Sequence, residues 1–197
     1  MKYLAFISLC IAISLQLIAQ TQSTPPKIIN FKKLQEFLPV KAPEGFTQGK
    51  PKGQTTSTSG FSSSSAAVEF NAPKKEKQLQ TMDDGKQDSV EVDVTWTVNV
   101  EIFDYAGMGE GMSASLQMLQ GMQFENETEN GYEKSTTYKN YKGIEKSSTQ
   151  EYSRSCSIQL VVGDRFVVNA NGNGFADVTI LHKIFDAMDL KKLESAQ

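Results

Sequence analysis

An alternation of apolar and polar residues between positions 90 and 102 is the clearest pattern in the chain. Its even positions are apolar and its odd positions are polar. The apolar residues are Val90, Val92, Val94, Trp96, Val98, Val100 and Ile102. Because successive side chains of a β-strand point to opposite faces, this alternation predicts one long strand. A strand with one buried and one wetted face is typical of an antiparallel sheet that is covered on one side.

Three other segments repeat their apolar residues at helical spacing. The first follows Asn30, which can cap a helix that Pro39 then ends. The second covers residues 108–122, where apolar side chains recur three or four positions apart. The third begins near Asp177 and continues to Leu193. Each segment predicts a helix with one apolar face.

Five further strands are predicted from shorter alternations and from the turn residues between them. They cover residues 57–71, 131–138, 144–154, 156–162 and 165–170. The first overlaps the tract 54–65, in which nine of twelve residues are serine or threonine, and a flexible linker is the alternative interpretation there. The charged segment 72–88 has no apolar period and is predicted to be a mobile loop.

The last predicted hairpin, around Gly163, is compatible with two registers. A two-residue turn places Leu160 and Phe166 on opposite faces of the sheet, whereas a three-residue turn places them together on the buried face. Because a slip of one residue exchanges the two faces of a strand, the sequence leaves both registers open.

Together these elements predict an α+β fold. We expect a two-layer sandwich, with an antiparallel sheet of about six strands and the helices packed on one face. The chain of 197 residues suits one ordinary domain, which we place at residues 31–195. The order of the strands within the sheet does not follow from the pattern.

The first 19 residues have the composition and order of a secretory signal peptide. Lys2 precedes an almost continuous apolar run, and Ala19 offers a small residue at the cut. Polar residues interrupt the run, which is shorter than the roughly 20 apolar residues that a membrane span needs. A polar, Pro-containing linker is predicted over residues 20–30. We therefore expect an exported protein, periplasmic or secreted, without a transmembrane span after cleavage.

Composition and charge narrow the chemistry further. A net charge of −3 argues against a broad electrostatic nucleic-acid binder, so no nucleic-acid partner is expected. One histidine, His182, and two cysteines, Cys10 and Cys156, exclude a zinc finger and a disulfide framework. Neither a metal nor another cofactor is expected. Cys156 lies in phase with apolar residues, which predicts that it is buried.

Two groupings of residues carry side chains capable of chemistry. Cys156 and His182 would form a nucleophile and base if their side chains met, but no surrounding motif supports that pairing. Four methionines between positions 108 and 122 offer thioethers, which suit Cu(I). Three of them share the apolar stripe of the predicted helix with Leu116 and Leu119, which favours packing in the core.

These observations favour an exported protein without catalytic activity. We expect it to act as a binding module or as an interaction module of the cell envelope or surface, with a protein or an envelope component as its partner. The first alternative is a protein that binds an apolar small molecule in a pocket between sheet and helices. The expected lining residues are Trp96, Met108, Met112 and Phe185. The second alternative is an exported enzyme that uses Cys156 and His182.

Overall fold

The computed structural model describes residues 27–58, 61–82, 85–151 and 153–196. Of these residues, 51% lie in strands and 21% in a few short helices. The predicted signal peptide at 1–19 and most of the predicted linker at 20–30 lie outside the described residues. Among the described helices, none combines the length and the apolar character that crossing a membrane requires.

The described strands form one antiparallel sheet. They are β1 Thr47–Gln48, β2 Lys52–Thr58, β3 Phe61–Thr81, β4 Gln87–Asp104, β5 Glu125–Thr128, β6 Gly131–Tyr138, β7 Tyr141–Ser148, β8 Ser155–Val162 and β9 Phe166–Asn173. Their spatial order is β1-β3-β4-β9-β8-β7-β6-β5, and β2 pairs with β3 along the edge that β1 also uses.

In the described part of the chain, four short helices accompany the sheet. They are α1 Phe31–Leu34, α2 Glu110–Gly121, α3 Thr179–Asp186 and α4 Leu190–Glu194, with 3₁₀ turns at Gln35–Phe37 and Ala106–Met108. The Asn30 side chain caps α1 by accepting a hydrogen bond from the Lys32 backbone, as predicted. The single helix predicted to reach Leu193 is divided in two, because Asp189 caps a new helix by accepting from the Lys192 backbone.

The predicted two-layer α+β sandwich is wrong, because the protein is dominated by its sheet. Much of the additional strand comes from the segment predicted as a mobile loop and from the Ser/Thr-rich tract, for which a flexible linker was the alternative to the predicted strand at 57–71. The Ser/Thr-rich tract forms β2 and the start of β3, where Thr55 Oγ1 and Ser64 Oγ lie 2.9 Å apart across the hairpin. Strand pairing satisfies backbone N–H and C=O groups whatever the side chains are, so a hydrophobic pattern does not detect β2 or residues 72–81 of β3.

The helices also cover both faces of the sheet, not one. The main core lies on one face, where α1, α3 and α4 meet the sheet and residues such as Leu34, Leu160 and Phe185 are fully buried. On the opposite face α2 buries Leu116 against Val161 and Val167. Neighbouring positions of a strand point to opposite faces, so Leu160 and Val161 belong to different cores.

The hairpin around Gly163 has the three-residue turn. Val162 pairs with Phe166 and Leu160 pairs with Val168, so Leu160 and Phe166 lie on the same face, in the main core. Gly163 adopts a φ of +61°, a left-handed conformation that glycine tolerates without steric cost. The turn chemistry therefore selects one of the two registers that the sequence left open.

Candidate functional site

Cys156 and His182, the predicted nucleophile and base, are each engaged by another group. Cys156 is buried, and its Sγ donates to the Asp177 carbonyl oxygen at 3.8 Å. Burial raises the pKa of Cys156 to about 12, so the thiol stays protonated at neutral pH. His182 Nε2 lies 3.0 Å from Glu145 Oε2, and its ring stacks on Tyr138. The thiol and the imidazole thus hydrogen-bond to different partners, Asp177 and Glu145.

The four residues predicted to line an apolar pocket are not gathered in one place. Phe185 is fully buried within the main core, and Trp96 packs against the edge of that core. Met112 belongs to α2, which packs on the opposite face, and Met108 lies in the 3₁₀ turn that precedes α2. The clefts described below are lined by other residues.

A buried carboxylate that the sequence did not reveal lies under α3. Glu145 Oε1 accepts a hydrogen bond from the Tyr132 hydroxyl at 2.7 Å, and the Lys134 ammonium lies 3.7 Å from the same oxygen. Glu145 Oε2 contacts His182. These bonds attach α3 to β6 and β7. On β7 the inward positions are a glycine, this glutamate and a serine, so no apolar alternation marks the buried side of the strand.

A second buried ion pair fastens the beginning of the described chain to the sheet. Arg165 binds both carboxylate oxygens of Asp104, at 2.8 and 2.7 Å, and donates to the Lys27 carbonyl at 2.9 Å. Asp104 is fully buried and also accepts from the backbone N–H of Ile29 and of Ala106. This pair positions the segment that leads into α1.

The hairpin of β3 and β4 extends past the rest of the sheet as a two-stranded ribbon. β9 pairs with β4 only from Thr97 onward, and β1 pairs with β3 only at Phe70 and Asn71. Beyond those positions, residues 72–81 and 87–96 pair only with each other, over ten residue pairs. Ten residues of strand span about 33 Å. The predicted loop at 72–88 is therefore wrong over most of its length.

The two faces of this ribbon differ in character. On the odd-numbered face, Lys75 lies opposite Asp93 and Lys77 lies opposite Glu91, and Lys75 Nζ contacts Glu91 Oε1 at 2.9 Å. This face is a cross-strand ladder of opposite charges. The even-numbered face is half-buried and carries a row of valines on β4. Its residues on β4 are Val90, Val92 and Val94, opposite Gln78, Glu76 and Lys74 on β3.

The base of the ribbon is tied to the body of the sheet. The Trp96 indole N–H donates to Glu76 Oε1 at 2.7 Å, and Arg154, from the loop between β7 and β8, pairs with the other oxygen of Glu76. The Trp96 ring also packs against Phe175, with 5.1 Å between centroids. These contacts fix the direction in which the ribbon leaves the sheet.

A cleft of about 690 Å³ lies between the ribbon and the loop joining β7 to β8. Its lining is Glu76, Lys77, Gln78, Val94, Thr149, Glu151, Ser153, Arg154, Ser155, Asn173 and Gly174. It opens where β9 ends, because Gly174 leaves the strand with a φ of +91° and donates its N–H to the Arg154 carbonyl. A Cβ at Gly174 would lie 2.7 Å from Trp96 Cδ1, so only glycine fits. Hydrophobic pattern could not reveal this site, since Glu76 and Arg154 are 78 residues apart.

A second cleft, of about 720 Å³, lies at the opposite ends of β7 and β8, beside the connection from α3 to α4. The β6–β7 turn on its rim has left-handed φ angles at Lys139 (+49°) and Asn140 (+72°). Lys139 Nζ contacts the carbonyl oxygens of Phe185 and Asp186 at 3.3 and 3.4 Å. The turn thus directs a lysine onto the C-terminal end of α3, where a cation is favourable.

Within the described ranges, no three His, Cys, Asp or Glu side chains are grouped so that they could hold a metal ion. Comparison of the chain with protein family models, with curated proteins and with solved structures finds no match. The ribbon and the cleft at its base are therefore the geometry from which we argue a function.

Proposed function

We propose that the protein is an exported, non-catalytic binding module whose docking element is the ribbon with its adjoining cleft. The observation that carries the proposal is the free backbone edge of β4 between Gln87 and Trp96, beside which the described part of the chain places no strand once β9 has ended. A strand edge of this kind accepts an extended polypeptide segment through main-chain hydrogen bonds, which is a recurrent mode of peptide recognition.

The two edges of the ribbon are not equivalent. The free edge of β3 carries Pro73 and the lysines at 74, 75 and 77, which are the devices that discourage a further strand from adding. Residues 87–96 of β4 contain no proline, lysine or arginine. Strand addition is therefore directed to the β4 edge, which is also the edge where β9 ends and the cleft opens.

The cleft is suited to an extended segment. The cleft adjoins the end of β9, because Asn173 and Gly174 line it together with Val94 of β4 and the loop at 149–154. Side chains of Thr149, Ser153 and Arg154 line the outer wall and supply polar groups to such a segment. The ion pair between Glu76 and Arg154 already orders the base of the ribbon in the free protein. Binding there therefore loses less conformational entropy, which favours affinity.

Export is part of the proposal and is supported by the first 19 residues, with their single early lysine and apolar run. A periplasmic or secreted location would place the docking edge outside the cytoplasm. The partner we propose is a protein or envelope component that presents an extended segment.

Site-specific photo-crosslinking in cells that produce the chain tests the docking element. A benzoylphenylalanine at position 92, on the ribbon, should form a defined adduct, whereas one at the exposed position 117 of α2 should not. The adduct should vanish when residues 77–91 are replaced by Asn-Gly, which joins the paired residues Glu76 and Val92 and keeps the ribbon base. Equal adducts at both positions, or an adduct that survives the shortening, would contradict the proposal.

A further inference from the structure

Resting on the proposed docking at β4, we infer that the docked segment alternates apolar and basic residues. Along its free edge, β4 carries a different row of side chains on each of its two faces. Among the described strands, none lies beside the row of acidic side chains and the row of valines on that side of β4. The chemistry of both rows specifies the segment that completes the sheet.

The acidic row lies on the odd-numbered face. Glu91 and Asp93 are central in the ribbon, and the lysines that answer them, Lys75 and Lys77, come only from β3. A strand on the free side of β4 would place its own side chains directly beside Glu91 and Asp93. Opposite charges in that position stabilise a sheet, and like charges destabilise it. Basic residues at alternate positions are therefore favoured.

The apolar row lies on the even-numbered face. Val90, Val92 and Val94 are each only half-buried, since the residues opposite them on β3 are Gln78, Glu76 and Lys74. Apolar side chains on an added strand would remove more of this valine surface from water, which is favourable in proportion to the area buried. The intermediate positions of the segment are thus apolar, in the same period of two.

Neither edge of the ribbon in a second copy of the chain fits both rows. If two β4 edges paired with each other in antiparallel fashion, Glu91 and Asp93 of both copies would share one face and repel each other. The β3 edge of another copy would bring Lys75 and Lys77 to the acidic row, but it would bring Lys74 and Glu76, not apolar residues, to the valine row, and Pro73 interrupts its donors. The free edge of β4 therefore favours a polypeptide other than a second copy of this chain.

Synthetic nine-residue peptides test the inference on the full mature chain. The probes are a peptide of alternating valine and lysine, a matched peptide of alternating valine and glutamate, and the lysine peptide with alternate backbone amides N-methylated. Binding can be followed by calorimetry and by the emission of Trp96, the single tryptophan, at the ribbon base. We expect the lysine peptide to bind about tenfold or more tightly than the glutamate peptide, and N-methylation to abolish binding.

A charge-swapped ribbon provides the decisive variant. The quadruple substitution K75E/K77E/E91K/D93K preserves every cross-strand ion pair and the net charge of the chain, but it places the lysines on β4. It should invert the preference, so that the glutamate peptide binds more tightly. The matched control K33E/E36K, which swaps an exposed ion pair on and beside α1, should leave the preference unchanged.

The outcomes separate this inference from the proposed function. Equal affinity for the two peptides, failure of both to bind, or an unchanged preference in the swapped ribbon would overturn the alternating basic segment, and a crosslink at position 92 would still support docking at the ribbon. Undiminished binding of the lysine peptide to the chain shortened at 77–91 would overturn docking at the ribbon itself.

Discussion

Replacing Arg165 by alanine should destabilise the protein more than any substitution at its surface. The guanidinium makes two hydrogen bonds to the Asp104 carboxylate and one to the Lys27 carbonyl, all between 2.7 and 2.9 Å. Asp104 is fully buried, so its carboxylate would keep only the backbone N–H groups of Ile29 and Ala106 as partners. Removing one member of a buried ion pair leaves an uncompensated charge.

The expected cost is about 3–5 kcal/mol in the free energy of unfolding, the range found when one partner of a buried pair is removed. For a chain of this size that corresponds to a fall in Tm of roughly 6–20 °C. Urea denaturation followed by circular dichroism measures the free energy. Lys33→Ala, which breaks an ion pair whose two side chains are more than half exposed, is the matched control and should cost about 0.5 kcal/mol or less.

A double variant distinguishes the charge from the packing. D104L/R165M removes both charges and retains apolar volume, so it should be more stable than R165A alone. If R165A lowers the free energy of unfolding by less than about 1 kcal/mol, water screens the pair and the reasoning from its burial is wrong. The same conclusion would follow if the double variant were the less stable of the two.

Three further predictions concern single positions. Burial raises the pKa of the Cys156 thiol from 9.0 to about 12, so the thiol should react with iodoacetamide at pH 8 at least about a hundredfold more slowly in the folded protein than in urea. Because folding holds the thiol protonated, its contribution to stability should fall as the pH rises from 9 towards 12. Lys139→Gly should lower the free energy of unfolding by about 1 kcal/mol less than Lys139→Ala, as measured in thermal melts. Both variants lose the contact with α3, but only alanine has a Cβ that strains the left-handed φ at this position. Gly174→Ala should displace Trp96 and shift its emission to longer wavelength, and an unchanged spectrum would contradict the close approach seen at the cleft.

The hydrophobic pattern predicted the elements whose faces are divided between core and solvent. The alternation from Val90 to Ile102 lies within β4, and the helical spacing over 108–122 corresponds to α2. Asn30 caps α1 as predicted. In each case the signal is local, because the burial of one face imposes a period on consecutive residues. The burial of Cys156 was predicted on the same ground and is confirmed.

Only the tertiary structure decided the ribbon, the cleft and the placing of helices on both faces. Residues 72–81 form a strand because β4 pairs with them along their whole length, and backbone hydrogen bonds do not need an apolar partner. Glu145 anchors α3 through His182, and Arg154 anchors the ribbon base through Glu76, and both partners are distant in sequence. Periodicity reports which face of one element avoids water, whereas these features depend on which elements meet. The sequence by itself therefore determined the strands and helices that carry a buried face, and the pairing of distant segments decided where a docking edge was left free.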